Sequence, residues 1–137
     1  MAERFEDLRA WQTARSLTNE VYVLTRRDGF ENDFALKDQI RRAAISVMSN
    51  ISEGFESRTR PRFIDFLGRA KASAGKVRSP LVIARDQESL SEETFSRIND
   101  LADKVPRQLY HLIRHLEQRD APDHVRELPE EYKHASR

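Results

Sequence analysis

"FIDFLGRAKASAGKVRSPLVIA", residues 63–84, sets an apolar or small residue at Phe63, Leu67, Ala70, Ala74, Val77, Leu81 and Ala84. The steps between them alternate four and three without a break. That is the period of one helix face, not the two-residue alternation of a strand. A seam of this kind packs against near-parallel helices crossing at about 20°. Pro61 suits the first turn of such a helix. Pro80 lies inside the pattern and is expected to kink the helix or cut it short.

The same steps recur on both sides of this stretch. Ala10, Ala14, Leu17, Val21 and Leu24 mark a helix that the charged "RRDG" run and Gly29 should end. Leu36, Ile40, Ala44, Val47 and Ile51 mark a second, from near Ala35 to Gly54. A fourth follows "SLSEE", where Ser89 or Ser91 can cap, and carries Phe95, Ile98, Ala102, Val105, Leu109, Leu112 and Leu116, with Pro106 its awkward residue. Four such helices joined by short connections imply an all-α, antiparallel, up-down-up-down four-helix bundle over residues 1–120. Residues 121–137 lose the pattern and read as a polar tail, mobile or strapped onto the bundle. A length of 137 residues suits one domain, and four Gly and five Pro are few for a β-sandwich. The absence of cysteine excludes disulfides, thiolate nucleophiles and cysteine metal sites. The start, "MAERFEDLRAW", lacks a basic region leading into an apolar run, and no stretch approaches the roughly 18 apolar residues of a membrane span, so a cytoplasmic location is expected.

The second helix has an unusual composition. In "QIRRAAISVMSNISEGFESRTR", residues 39–60, Ser46, Ser49, Asn50 and Ser52 stand among Ile45, Val47, Met48 and Ile51. Serine and asparagine are modest helix formers because their side chains compete for backbone hydrogen bonds. Beside the core stripe, Ile45, Met48 and Phe55 widen the apolar arc beyond one bundle seam. Opposite it run Arg42, Ser46, Ser49 and Glu53, with Gln39 and Asn50 at the margin. This helix is therefore expected to touch a neighbouring subunit as well as its own bundle. Ile45, Met48 and Phe55 are the expected subunit contact, and the serines are expected to serve close packing and hydrogen bonding.

The stretches "FEDLRAWQTARSLTNEVYVLT", "LKDQIRRAAISVMSNISEG" and "RPRFIDFLGRAKASA" also carry a resemblance. Gln39, Arg41, Arg42, Ala43, Ser46, Asn50, Glu53 and Gly54, supported by Trp11, Ala14, Tyr22 and Thr25, follow the pattern of a four-helix-bundle family. That family, S23-like, was first noted as open reading frames in intervening sequences of bacterial 23S ribosomal RNA genes. The resemblance spans roughly Phe5 to Ala84, and more weakly the fourth helix, and implies an antiparallel bundle assembled with copies of itself into a homopentamer. It extends distantly to the accessory proteins of diversity-generating retroelements, basic pentamers that bind nucleic acid and a reverse transcriptase. No enzymatic activity is implied. Two departures stand out: "DGFENDFALKDQ" replaces the usual Phe-Pro before the second helix, and Lys76 and Arg78 stand where acids are expected.

Charge gives the functional reading. The whole chain is nearly neutral, at formal net +1, but between Glu56 and Asp86 cations outnumber acids eight to three. In the third helix Arg62, Arg69 and Lys76 recur every seven residues, as do Lys71, Arg78 and Arg85, on either side of the apolar seam. Arg58 and Arg60 precede them. These eight side chains are the expected contact with RNA or DNA phosphates, for which the arginine fork is suited. The competing reading is that they pair with acids of the fourth helix, Glu92, Glu93, Asp100 and Asp103. No RNP-like aromatic pattern or stacking platform is apparent.

Enzyme chemistry has little support. His111 and His115 have the i, i+4 spacing that can hold a metal ion, but no third ligand is fixed and no HExxH occurs. No histidine or lysine stands near Ser46 or Ser49 in sequence to activate a hydroxyl. Neither a P-loop nor GxGxxG is present. The chain is therefore read as a non-enzymatic protein without metal or cofactor. Two functions remain open: an oligomer that binds RNA or DNA, and a scaffold that receives another protein.

Overall fold

The computed structural model describes residues 2–118 and 128–134. Its main elements are α1 (Arg9–Thr25), a single-turn α2 (Asp28–Glu31), α3 (Phe34–Glu56), α4 (Arg60–Asp86) and α5 (Glu92–Leu116). Short 3-10 turns at Phe5–Asp7 and Glu130–Tyr132 flank them. No strand occurs among the described residues apart from one isolated antiparallel bridge between Leu8 and Lys133.

The long helices close a ring in which α1 touches α3 and α5, and α4 touches α3 and α5. The core fixes their directions. At one end, Ala10 and Ala14 from the start of α1 share a cluster with Val47 and Ile51 from the later half of α3, Phe63 and Leu67 from the start of α4, and Leu112 and Leu116 from the end of α5. At the other end, Leu24, Leu36, Leu81 and Phe95 come together. Successive long helices therefore run in opposite directions, as the short connections between them imply. Every apolar position of the seam of residues 63–84 is buried.

Local chemistry sets the helix ends. Asp33 accepts from Leu36 N at 3.2 Å, Thr59 from Arg62 N at 3.4 Å and Ser91 from Thr94 N at 3.1 Å, each side chain satisfying a first-turn amide. The cap of α5 is thus Ser91. Pro61 occupies the first turn of α4. At the end of α4, Ser89 N reaches Ala84 O and Glu88 N reaches Arg85 O, both at 2.9 Å, while Glu88 takes the left-handed conformation usually given to glycine.

The first helix ends at Thr25, directly before the "RRDG" run, as expected, while two details at Pro80 and Gly29 differ. Pro80 does not cut α4 short: the helix continues to Asp86, because Pro80 is itself buried and Val77, Leu81 and Ala84 anchor the turns around it. Nor does Gly29 act as a helix stop. It lies inside α2, where a Cβ would stand 2.7 Å from Ser89 O, so glycine lets the α4–α5 turn approach the backbone.

Residues 128–134 lie back on the bundle. Leu128 and Lys133 are buried, Tyr132 joins the cluster at the α1 start, and His134 N donates to Asp7 O. The tail residues 121–127 and 135–137 lie outside the described residues.

Candidate nucleic-acid interface

The residues of α3 singled out in the sequence divide between the interior and the surface. Arg41 points back to the end of α1, where its Nε donates to Thr25 Oγ1 at 2.7 Å and its guanidinium lies 4.5 Å from the Tyr22 ring centroid. A cation here also complements the helix C-terminus. Ser46 and Ser73 join α3 to α4 through a 2.9 Å hydroxyl contact, and Asn50 Nδ2 donates to Ser46 O at 2.8 Å and to Ser46 Oγ at 3.1 Å. One turn further on, a Cβ at Gly54 would meet Phe63 Cδ1 and Phe66 Cβ, both at 2.9 Å. Small and hydrogen-bonding side chains therefore bring α3 close to α4 within one chain.

Gln39, Arg42 and Glu53 are exposed, and Arg42 pairs with Asp38 at 2.9 Å on the surface. The expected subunit contact is also divided. Ile45 is 43% exposed, whereas Met48 is partly buried against the core. Phe55 is only 5% exposed and meets Phe63 edge-on at a centroid distance of 6.5 Å. Phe55 is thus a core residue, drawn inward by the close approach at Gly54, and does not share a surface with Ile45.

The cations of α4 form two rows on opposite flanks of the helix. Lys71, Arg78 and Arg85 face α5. Lys71 Nζ lies 5.2 Å from the Tyr110 ring centroid, Arg78 reaches Asp103 at 3.6 Å, and Arg85 lies 4.2 Å from the Phe95 centroid and 4.0 Å from Asp86. Arg62, Arg69 and Lys76 run along the flank toward α3. Arg69 pairs with Asp65 at 2.9 Å and covers Phe66. Arg58 and Arg62 are exposed, Arg60 is half-buried, and Lys76 is exposed. The α4–α5 pairing anticipated for the basic residues is therefore present at Arg78. Such half-exposed pairs contribute at most about 1 kcal/mol each and leave the cations available for exchange.

Between the two rows lies a face made of Gly68, Ala72, Gly75 and Ser79, all exposed, with open space where a Cβ of either glycine would stand. Exposed glycines inside a helix cost roughly 1 kcal/mol each relative to alanine. Unlike Gly54, neither is required by packing within the chain.

The α4–α5 groove contains a feature the sequence reading missed. Tyr110 is 47% exposed and stands beside Lys71, above a cleft of about 380 Å³ that also reaches Arg78, Arg107 and Asp103. The sequence separation between Lys71 and Tyr110 conceals this pairing; only the antiparallel register of α4 and α5 brings them together.

A separate cleft of about 310 Å³ lies under the strap, between Arg9, Gln108, His111 and Tyr132. Gln108 Oε1 and His115 Nε2 are buried there or nearby without a hydrogen-bond partner, and the His115 ring lies 5.1 Å from that of Tyr132. Burial, with the charge of Glu131 adding to it, holds the Tyr132 phenol above its ordinary range. Among the described residues no group of three or more histidines or acids is placed to hold a metal ion.

The profile of the family described as 23S rRNA-intervening sequence protein matches residues 6–111. No curated protein matches the chain. Among solved structures, a protein of unknown function from the S23 ribosomal protein family of Bacteroides thetaiotaomicron is similar, with 23% identity and a TM-score of 0.65. The likeness covers 76% of this chain and 94% of that one.

Proposed function

The chain belongs to the 23S rRNA-intervening sequence protein family, and on that premise we propose that it is a non-enzymatic, homo-oligomeric bundle that binds RNA or DNA phosphates along α4. The observation that carries this reading is the open glycine-bearing face between two rows of cations. A phosphate backbone laid along Gly68, Ala72, Gly75 and Ser79 meets no bulky side chain, and arginines on both flanks can turn toward it. The small net charge of the whole chain does not oppose this, because affinity depends on the local field. Assembly of several copies would repeat the surface and raise its effective valency.

The test is fluorescence anisotropy with labelled RNA over a salt series. Binding should weaken steeply as salt rises, with a logarithmic slope of about −0.7 to −0.9 per phosphate contacted. Replacing Arg62, Arg69 and Lys76 together by Glu should abolish binding without unfolding the bundle. Absence of binding by the intact protein at low salt would refute the proposal.

The pairs Arg69–Asp65 and Arg78–Asp103 favour a second reading, in which these cations serve structure and the bundle is a scaffold for another protein. Under that reading the triple substitution leaves partner capture intact and RNA binding is absent from the start.

A further inference from the structure

We propose that the α4–α5 groove is a stacking subsite for unpaired nucleotides, with Tyr110 as its platform, so that the protein prefers single-stranded RNA or DNA to a duplex. This rests on the phosphate-binding reading of α4 and adds the class of nucleic acid.

An exposed tyrosine alone is unremarkable, since much of any protein surface is apolar. The surroundings of Tyr110 distinguish it. Its ring lies 47% exposed at the edge of a groove whose cleft holds three cations, Lys71, Arg78 and Arg107, against the single carboxylate of Asp103. Asp103 is divided between Arg78 at 3.6 Å and Arg107 at 3.5 Å, so neither arginine has a carboxylate to itself. Arg78 also borders a second cleft, of about 520 Å³, that continues past Val82 toward Arg85. The two clefts share Arg78, and along α4 the cations Lys71, Arg78 and Arg85 that line them recur about every two helical turns.

Lys71 Nζ, at 5.2 Å from the Tyr110 centroid, supplies the remaining element. A cation over an aromatic face interacts with the ring quadrupole, but at an exposed site that interaction is weak. An arriving base can replace the ammonium on the ring, and the flexible lysine stem then delivers its charge to the adjoining phosphate. Bases in a duplex are stacked on each other and cannot reach Tyr110, whereas every unpaired base presents a π face. The groove thus combines a phosphate track with a sequence-tolerant platform. Stacking on a ring face does not depend on the edge of the base, so preference among bases should be small.

The decisive comparison uses the full chain with fluorescein-labelled oligouridylate and with a blunt RNA duplex of equal length, both at low salt. Tyr110→Ala should weaken oligouridylate binding by about tenfold, within the range of a single stacking contact, and leave duplex binding unchanged. Tyr110→Trp should restore oligouridylate binding, and matching thermal melts should show that all variants fold. Equal loss for both probes, or no loss for either, overturns the stacking subsite while leaving phosphate binding in place. Binding of neither probe by the unaltered protein refutes the phosphate reading itself, and the subsite with it.

Discussion

A methyl group added at Gly54 would stand 2.9 Å from Phe63 Cδ1 and from Phe66 Cβ, whereas the same group at Gly68 or Gly75 would meet nothing within 4 Å. One substitution therefore has opposite consequences at different positions of the same bundle. Gly54→Ala gains helix propensity but must push α3 away from α4 or distort two phenylalanines, and overpacking of this kind costs about 1–3 kcal/mol. Gly68→Ala combined with Gly75→Ala meets no such obstacle. It should stabilise the chain by about 1–2 kcal/mol through helix propensity and reduced freedom of the unfolded state. Urea unfolding of the variants measures both. A stabilised Gly54→Ala protein would show that the α3–α4 approach is not limiting. If the double variant also loses affinity for RNA, the open face is where the phosphate backbone comes close.

At the scale of the element, what the sequence made legible follows from its period. Seven seam positions in α4 and comparable stripes in α1, α3 and α5 repeat often enough to define helices and their buried faces, even across Pro80. The strap of residues 128–134 has no such repetition. Its attachment depends on isolated residues, Leu128, Tyr132 and Lys133, whose partners are more than a hundred residues away in the case of Leu8 and Arg9. Of the serines of α3 expected to serve close packing, Ser46 does so, against Ser73 of the same chain, while Ser49 is exposed and Ser52 donates to Met48 O of its own helix. Three ionisable groups of the strap, Glu130, Tyr132 and Lys133, should make its docking depend on pH. The hydrogen bond from Lys133, together with its charge, lowers the Glu130 pKa below its ordinary 4.5; this contribution is present above 4.5 and fades as pH falls through the docked value. Burial first, and Glu131 second, raise the Tyr132 pKa above 10.0; its contribution is complete below pH 10 and is lost as pH rises through the docked value. The strap should therefore hold between these ranges and loosen at both extremes, followed by the NMR methyl signals of the buried Leu128. Lys133, also held above its ordinary 10.5, acts on the same alkaline side, so Tyr132→Phe should weaken the alkaline limb and leave the acid limb unchanged. Loosening centred near neutral pH would exclude these groups as its cause.

For the whole molecule, the proposed assembly requires a face of the bundle that can meet another copy. Among the described residues the exposed large apolar ones are Val23, Phe34, Ile45, Val82, Ile83 and Tyr110, and they are spread over all four long helices. Of these, α3 carries two, Phe34 at its start and Ile45 mid-helix, beside the exposed residues Gln39, Arg42, Ser49 and Glu53. This stripe lies on a different helix from the glycine-bearing face of α4, so assembly through α3 leaves α4 open to nucleic acid. Met48 is a poor place to test the idea, because it packs against the protomer's own core and a charge there would unfold the bundle as well. Ile45, at 43% exposed, separates the two effects. Ile45→Glu should leave thermal stability within about 0.5 kcal/mol in the isolated chain, as expected of a surface substitution. Its charge would be desolvated without a partner in an assembled contact, shifting the mass measured by light scattering toward the monomer. Because linked copies act together on one RNA, the same variant should also lower apparent affinity and flatten its dependence on salt. An unchanged mass would exclude the exposed stripe of α3 as the contact. A monomer that still bound RNA with undiminished affinity would show that α4 of a single chain suffices.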